Sequence, residues 1–143
     1  MFLRTFRRMP AMLASRPFQT ASFQWKVSIY DFKKVQELSK RAQAESKNPI
    51  LIDVREPGEF EAGSINTAVN LPVGKLEDAL KLGDKEFVDT YGFHKPSITD
   101  SVVVYCRSGK RSTAASKILS EKGYDHIGNY TGSWLDWSAK SEN

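Results

Sequence analysis

The residues able to do chemistry concentrate in one stretch, Val104-Tyr105-Cys106-Arg107-Ser108-Gly109-Lys110-Arg111-Ser112-Thr113, which holds the only cysteine of the 143-residue chain. An apolar run, Val102 to Tyr105, leads into Cys106; a glycine and three cations follow, and a helical pattern starts at the Ser112-Thr113 pair. The expected order is strand, loop, helix, with a thiol at the start of the loop. Successive backbone N–H groups in such a loop can converge on a common centre, and the following helix adds its positive end. A thiol held there ionises more easily than the ~8.5 of a free cysteine, and the thiolate is the nucleophile. The competing reading is a structural cysteine closing a core strand, since free cysteine is among the most buried residue types. Three basic residues within five positions argue against an apolar setting for it.

Loop size narrows the chemistry further. A loop of the Cys-phosphatase kind separates its cysteine from a phosphate-gripping arginine by five residues, Cys-x5-Arg. Here the arginine falls at Arg111, giving Cys-x4-Arg, and Ser112 occupies the position a phosphatase would need. A ring one residue tighter suits a single sulfur atom carried on the cysteine better than a phosphate with three outer oxygens. With one cysteine there is no internal disulfide and no Cys-x-x-Cys site, so anything Cys106 acquires covalently must be removed by an acceptor from outside. His94 and His126 lie in polar turn contexts and read as surface residues, and no metal site is expected.

The elements that must position this loop are legible as alternating periods. Trp25 to Ile29 is compatible with a short strand, and Asp31 is a plausible N-cap for a helix whose apolar positions Phe32, Val35 and Leu38 fall three apart. That helix should fade across Lys40 to Lys47, and Asn48-Pro49 marks a turn. Ile50-Leu51-Ile52 with Val54 forms a near-continuous apolar run, the signature of a strand covered on both faces. Glu56-Pro57-Gly58-Glu59 opens a helical turn, and Ala68 to Pro72 reads as another short strand. Two short helices follow, Leu76 to Leu82 and Asp84 to Tyr91, then the strand Ser101 to Tyr105. A helix from Ser112 to Lys122 stops at Gly123, and a strand from Ile127 to Tyr130 precedes a last helical turn from Trp134 to Ala139. Strands alternating with helices indicate an α/β fold with a mainly parallel five-stranded sheet and helices on both faces. Ligands of such sheets bind at the carboxyl ends of the strands, where Cys106 falls.

The first 24 residues are set apart by composition. They carry Arg4, Arg7, Arg8 and Arg16, with no acidic residue before Asp31, and place Phe2, Leu3, Phe6, Met9 and Leu13 at roughly helical spacing. Amphipathic, arginine-rich and acid-free is the composition of a mitochondrial transit peptide, which points to import into the matrix; a basic nucleic-acid-binding arm is the rival. The apolar stretches are too short and too often charged for a membrane span. Of 21 lysines and arginines against 17 acids, those four arginines are the whole excess. Residues 25–143 are therefore near neutral, with no nucleic-acid partner expected, and form a single domain of ordinary size.

The six-residue loop Cys106-Arg107-Ser108-Gly109-Lys110-Arg111 resembles that of the rhodanese (thiosulfate sulfurtransferase) family, and three other segments extend the likeness. Asp53-Val54-Arg55-Glu56 is similar to the family's signature after its second strand; Gly63-Ser64-Ile65 through Ala68-Val69-Asn70-Leu71-Pro72 resembles the segment written G-H-I-x-G-A-x-N-I-P; Gly132-Ser133 with Trp137 resembles the C-terminal Gly-Gly-x3-Trp. The match runs from about residue 27 to 139, and the whole is similar to single-domain mitochondrial rhodaneses of fungi. Ser64 stands where the family often has histidine and Ser133 replaces the second glycine; both lie outside the cysteine loop, so altered local hydrogen bonding is expected rather than lost activity.

The resemblance implies a ping-pong reaction. Cys106 takes the outer sulfur of thiosulfate, sulfite leaves, and a thiol such as glutathione, or cyanide, removes the sulfur from the Cys106 persulfide. Arg107, Ser108, Gly109, Lys110 and Arg111 would bind substrate, with Arg107 recognising the leaving sulfite and Arg111 either closing the loop or touching substrate. Asp53 and Arg55 would support the site structurally, Trp134 and Trp137 would line the core or the pocket wall, and no cofactor is required. Two other functions remain open on sequence: a persulfide carrier that hands sulfur to a partner protein, and a Cys-loop phosphatase.

Overall fold

The computed structural model describes residues 26–44 and 49–141, so the arginine-rich segment 1–24 and Trp25 lie outside the described residues. Eleven elements follow in chain order. Strand β1 (Val27–Tyr30) leads to helix α1 (Phe32–Ala44), where Asp31 caps as expected: its Oδ1 accepts the Lys34 N–H at 2.9 Å. Strand β2 (Ile50–Asp53), helix α2 (Pro57–Ala62), strand β3 (Val69–Asn70), helix α3 (Val73–Ala79) and helix α4 (Asp84–Tyr91) come next. Strand β4 (Ser101–Tyr105), helix α5 (Lys110–Glu121), strand β5 (His126–Tyr130) and helix α6 (Ser133–Ser141) complete the series among the described residues.

The five strands form one sheet in the order β1-β5-β4-β2-β3, every neighbouring pair parallel. The continuous apolar runs of β2 and β4 explain their central places, because alternate residues feed two separate cores. Ile52, Val102 and Val104 pack on one face with Leu76, Phe87 and Leu119 of α3, α4 and α5. Leu51, Val103 and Tyr105 pack on the other with Val35 and Leu38 of α1 and, at its edge, Trp134 and Trp137 of α6. Because the strands are parallel, the residues that follow β2, β4 and β5 gather along one edge: Val54 and Arg55, Cys106, and Thr131 to Ser133.

Several boundaries differ from expectation, each for a local reason. Helix α5 begins at Lys110 rather than Ser112, because Gly109, in the left-handed region at φ 103, already occupies the N-cap position. Helix α3 spans Val73–Ala79, starting directly after Pro72 and ending before the expected Leu82. Helix α4, by contrast, keeps its expected bounds, with Gly83 at its N-cap and Gly92 ending it at φ 83.

Candidate active site

Cys106 follows β4 directly and belongs to the buried core, with 1% of its surface exposed. Burial alone would suit a structural cysteine; the sulfur's neighbours do not. The Gly109 N–H donates to Sγ at 3.1 Å and the Ser112 N–H at 3.3 Å. The left-handed turn at Gly109 aims these amides inward, and a Cβ there would sit 2.6 Å from the Thr131 carbonyl oxygen. Helix α5 locks the turn from the other side, since the Ser112 and Thr113 hydroxyls both donate to the Gly109 carbonyl, at 3.1 and 2.8 Å.

The start of α6 clamps the cysteine's backbone. Ser133, fully buried and at φ 56, accepts the Cys106 N–H on Oγ at 3.0 Å, donates to the Tyr130 carbonyl at 2.8 Å, and brings Oγ within 3.9 Å of Sγ. The Trp134 N–H donates to the Cys106 carbonyl at 2.9 Å, and the Leu135 N–H to that of Arg107 at 3.1 Å. Ser133 thus lies outside the loop in sequence but against the sulfur in space.

Burial pushes the Cys106 thiol up, but the Ser112 and Gly109 amides, with the Ser112 and Ser133 hydroxyls, more than offset it and hold the thiol below its ordinary value. Alkylation of Cys106 is expected to rise with pH to a plateau whose midpoint lies below that of a free cysteine. Ser133→Gly, which tolerates the positive φ and removes the hydroxyl, should move that midpoint upward. A midpoint at or above the free value in the unaltered protein would contradict this reading of the amides.

The loop cations divide. Arg107 and Lys110 are exposed, as is Ser108. Arg111 instead turns to Glu59 of α2, with Nη1 to Oε2 at 2.8 Å and Nη2 to Oε1 at 3.1 Å. That bidentate pair draws the Glu59 carboxyl down to about 2, burial opposing it only in part. Asp53 and Arg55 form a second, fully enclosed pair: Nη2 to Oδ2 is 2.7 Å, and the same nitrogen reaches the Gly63 carbonyl at 2.6 Å. The guanidinium lies 5.0 Å from the ring centre of Trp134 and 5.8 Å from that of Tyr105, whose hydroxyl accepts the Ile65 N–H at 3.0 Å. This pair therefore fixes the segment 63–65 and the start of α6 together. A cavity of about 630 Å³ lined by Phe60, Tyr91 and Phe93 lies on the β3 side and does not include Cys106. His94 and His126 are both exposed. Among the described residues no helix is long and apolar enough to cross a membrane.

Residues 34–140 match the description of the rhodanese-like domain. The chain belongs to the rhodanese-like family. A Schizosaccharomyces pombe protein, provisionally named a mitochondrial thiosulfate sulfurtransferase, is 59% identical over 90% of this chain and 90% of its own length. A human thiosulfate:glutathione sulfurtransferase is 37% identical over 63% of this chain and 79% of its own. Among solved structures, a human single-domain sulfurtransferase superposes with a TM-score of 0.71 at 32% identity, covering 78% of this chain and 96% of that one. This rhodanese-like chain is accordingly a sulfurtransferase.

Within the rhodanese-like domain, the loop residues and the Asp53–Arg55 pair lie at the same edge of the sheet, as their positions after β4 and β2 require. The sequence reading missed the Glu59 partner of Arg111, the amide of Ser112 and the hydroxyl of Tyr105, whereas Ser133 stood out as a departure with local hydrogen-bonding consequences. One signal could have found Glu59: it stands three residues after Glu56, and its carboxylate accepts the Glu56 N–H at 3.1 Å as a capping box would.

Proposed function

We propose that Cys106 is the sulfur-carrying nucleophile of a thiosulfate:thiol sulfurtransferase. In the first half-reaction its thiolate attacks the outer sulfur of thiosulfate. A sulfur–sulfur bond forms at Sγ, the bond between the two sulfurs of thiosulfate breaks, and sulfite leaves with the electron pair. The outer sulfur remains as a Cys106 persulfide anion. In the second, the thiolate of glutathione, or cyanide, attacks that sulfur and Cys106 leaves as thiolate, ready for another cycle. No redox partner or cofactor is consumed.

The observation that carries this reading is the pair of amides, from Gly109 and Ser112, aimed at a thiol held below its ordinary value. They stabilise negative charge at Sγ, which is the attacking group in one half-reaction and the leaving group in the other. Near-complete burial of Cys106 suits a donor that presents one terminal atom, while the exposed Arg107 and Lys110 of the same loop offer charge-assisted donors to sulfonate oxygens. The thiol acceptor is supported by the name of the human relative, and a mitochondrial site of action by the arginine-rich segment 1–24 together with the name of the S. pombe relative. In this reading residues 1–24 address the protein to the import machinery and the matrix, and residues 25–143 carry the reaction.

Turnover is tested by following sulfite release from thiosulfate with glutathione as acceptor. Arg107→Ala should raise KM for thiosulfate by roughly tenfold, the weight of one charge-assisted hydrogen bond, with a smaller effect when a persulfide is the donor. Equal KM values for Arg107→Ala and the unaltered protein would remove Arg107 from donor recognition. Transfer that occurs only to a protein acceptor, never to glutathione, would replace the enzyme reading with that of a carrier.

A further inference from the structure

Arg111 differs from the other two loop cations in being spoken for. Its guanidinium makes two parallel N–H···O bonds to Glu59, at 2.8 and 3.1 Å, with both side chains one-third exposed. Glu59 is itself anchored, because its Oε2 also accepts the Glu56 N–H at the start of α2. Neither partner is free to swing away without breaking the other's contacts. Arg107 and Lys110 are exposed in the same loop, while the positive charge of Arg111 is already matched by a carboxylate.

We propose that Glu59 is a specificity-determining residue of the sulfur-transfer site: by engaging Arg111 it withdraws one cation from anion recognition, so that dianionic donors and the sulfite product are held loosely. The inference rests on the sulfur-transfer reading for its biological sense, but its physical content is the anion affinity of the loop. Loose binding has a purpose in a ping-pong cycle. Sulfite must leave before an acceptor can reach the persulfide, and a third cation closing on its oxygens would retain it.

Two variants separate this from direct donor binding by Arg111. Glu59→Gln keeps the shape of the side chain and removes its charge, releasing the guanidinium from its carboxylate partner. Binding of sulfite to the reduced protein, followed by calorimetry at low salt, should tighten by roughly five- to tenfold, the effect of one charge-assisted contact discounted for exposure. KM for thiosulfate should fall by a similar factor. The double variant Glu59→Gln with Arg111→Gln removes the pair as a neutral unit and should stay within about twofold of the unaltered protein in both measurements, as expected for two residues acting through one another. Unchanged or weakened sulfite binding in Glu59→Gln would overturn the proposal, as would a loss of more than about threefold in the double variant, since Arg111 would then be a donor ligand in its own right. The calorimetric arm involves no sulfur transfer. If thiosulfate leaves no sulfur on Cys106, the functional reading fails while sulfite affinity still decides the role of Glu59.

Discussion

Cys106→Ser is expected to abolish sulfite release from thiosulfate, lowering turnover by at least on the order of a thousandfold, as loss of a covalent nucleophile does. The substitution is nearly isosteric in a site that is 1% exposed, so the fold should survive and the effect should be chemical. A serine hydroxyl stays protonated at neutral pH even between the Gly109 and Ser112 amides, and an oxygen cannot take the place of the persulfide's inner sulfur. The comparison is made at equal protein concentration, with circular dichroism as a check on folding. Full sulfite release by a folded Cys106→Ser protein would place the chemistry elsewhere.

Gly109→Ala should produce the second-largest effect, through the backbone rather than through any lost side chain. Gly109 adopts φ 103, and an added Cβ would meet the Thr131 carbonyl oxygen at 2.6 Å, with backbone on both sides of the clash. Forcing an L-residue into this conformation costs about 1–3 kcal/mol before the steric term is added. Relief requires the loop to move, and the Gly109 N–H, which donates to the sulfur at 3.1 Å, moves with it. The expected result is a lower melting temperature, an upward shift in the pH midpoint for Cys106 alkylation, and sulfur transfer reduced by about a hundredfold, the cost of one misplaced oxyanion-type donor. A variant that matches the unaltered protein in melting temperature and turnover would show that the inward amide has no catalytic weight.

The sequence exposed those parts of the site whose causes are local. Apolar runs announced β2 as a strand covered on both faces and β4 as a strand, and a cysteine ahead of a glycine and cations announced an anion-holding turn at the carboxyl end of β4. The helix after the loop was legible as a helix but misplaced by two residues. Ser112 and Thr113 carry the side chains favoured at helix starts, yet here they bond back to the Gly109 carbonyl from inside the first turn.

What stayed hidden depends on distance along the chain. Glu59 and Arg111 are 52 residues apart, and Ser133 and Cys106 are 27 apart, so no local period connects them. Tyr105 read simply as the end of a strand, whereas its hydroxyl, 40 residues from Ile65, ties the segment after α2 to the cysteine strand. Burial of the thiol was likewise ambiguous from sequence, since a structural and a reactive cysteine are both enclosed. Only the direction of the neighbouring N–H groups separates them.

Intact-mass analysis of the reduced protein, before and after thiosulfate, bears most directly on the role of Cys106. The mass of one sulfur atom should be added per chain, confined to the peptide containing Cys106, matched by one sulfite released and removed again by cyanide. A protein that takes up no sulfur while its Cys106 still alkylates readily, or that takes up sulfur with Cys106 replaced by serine, would contradict it.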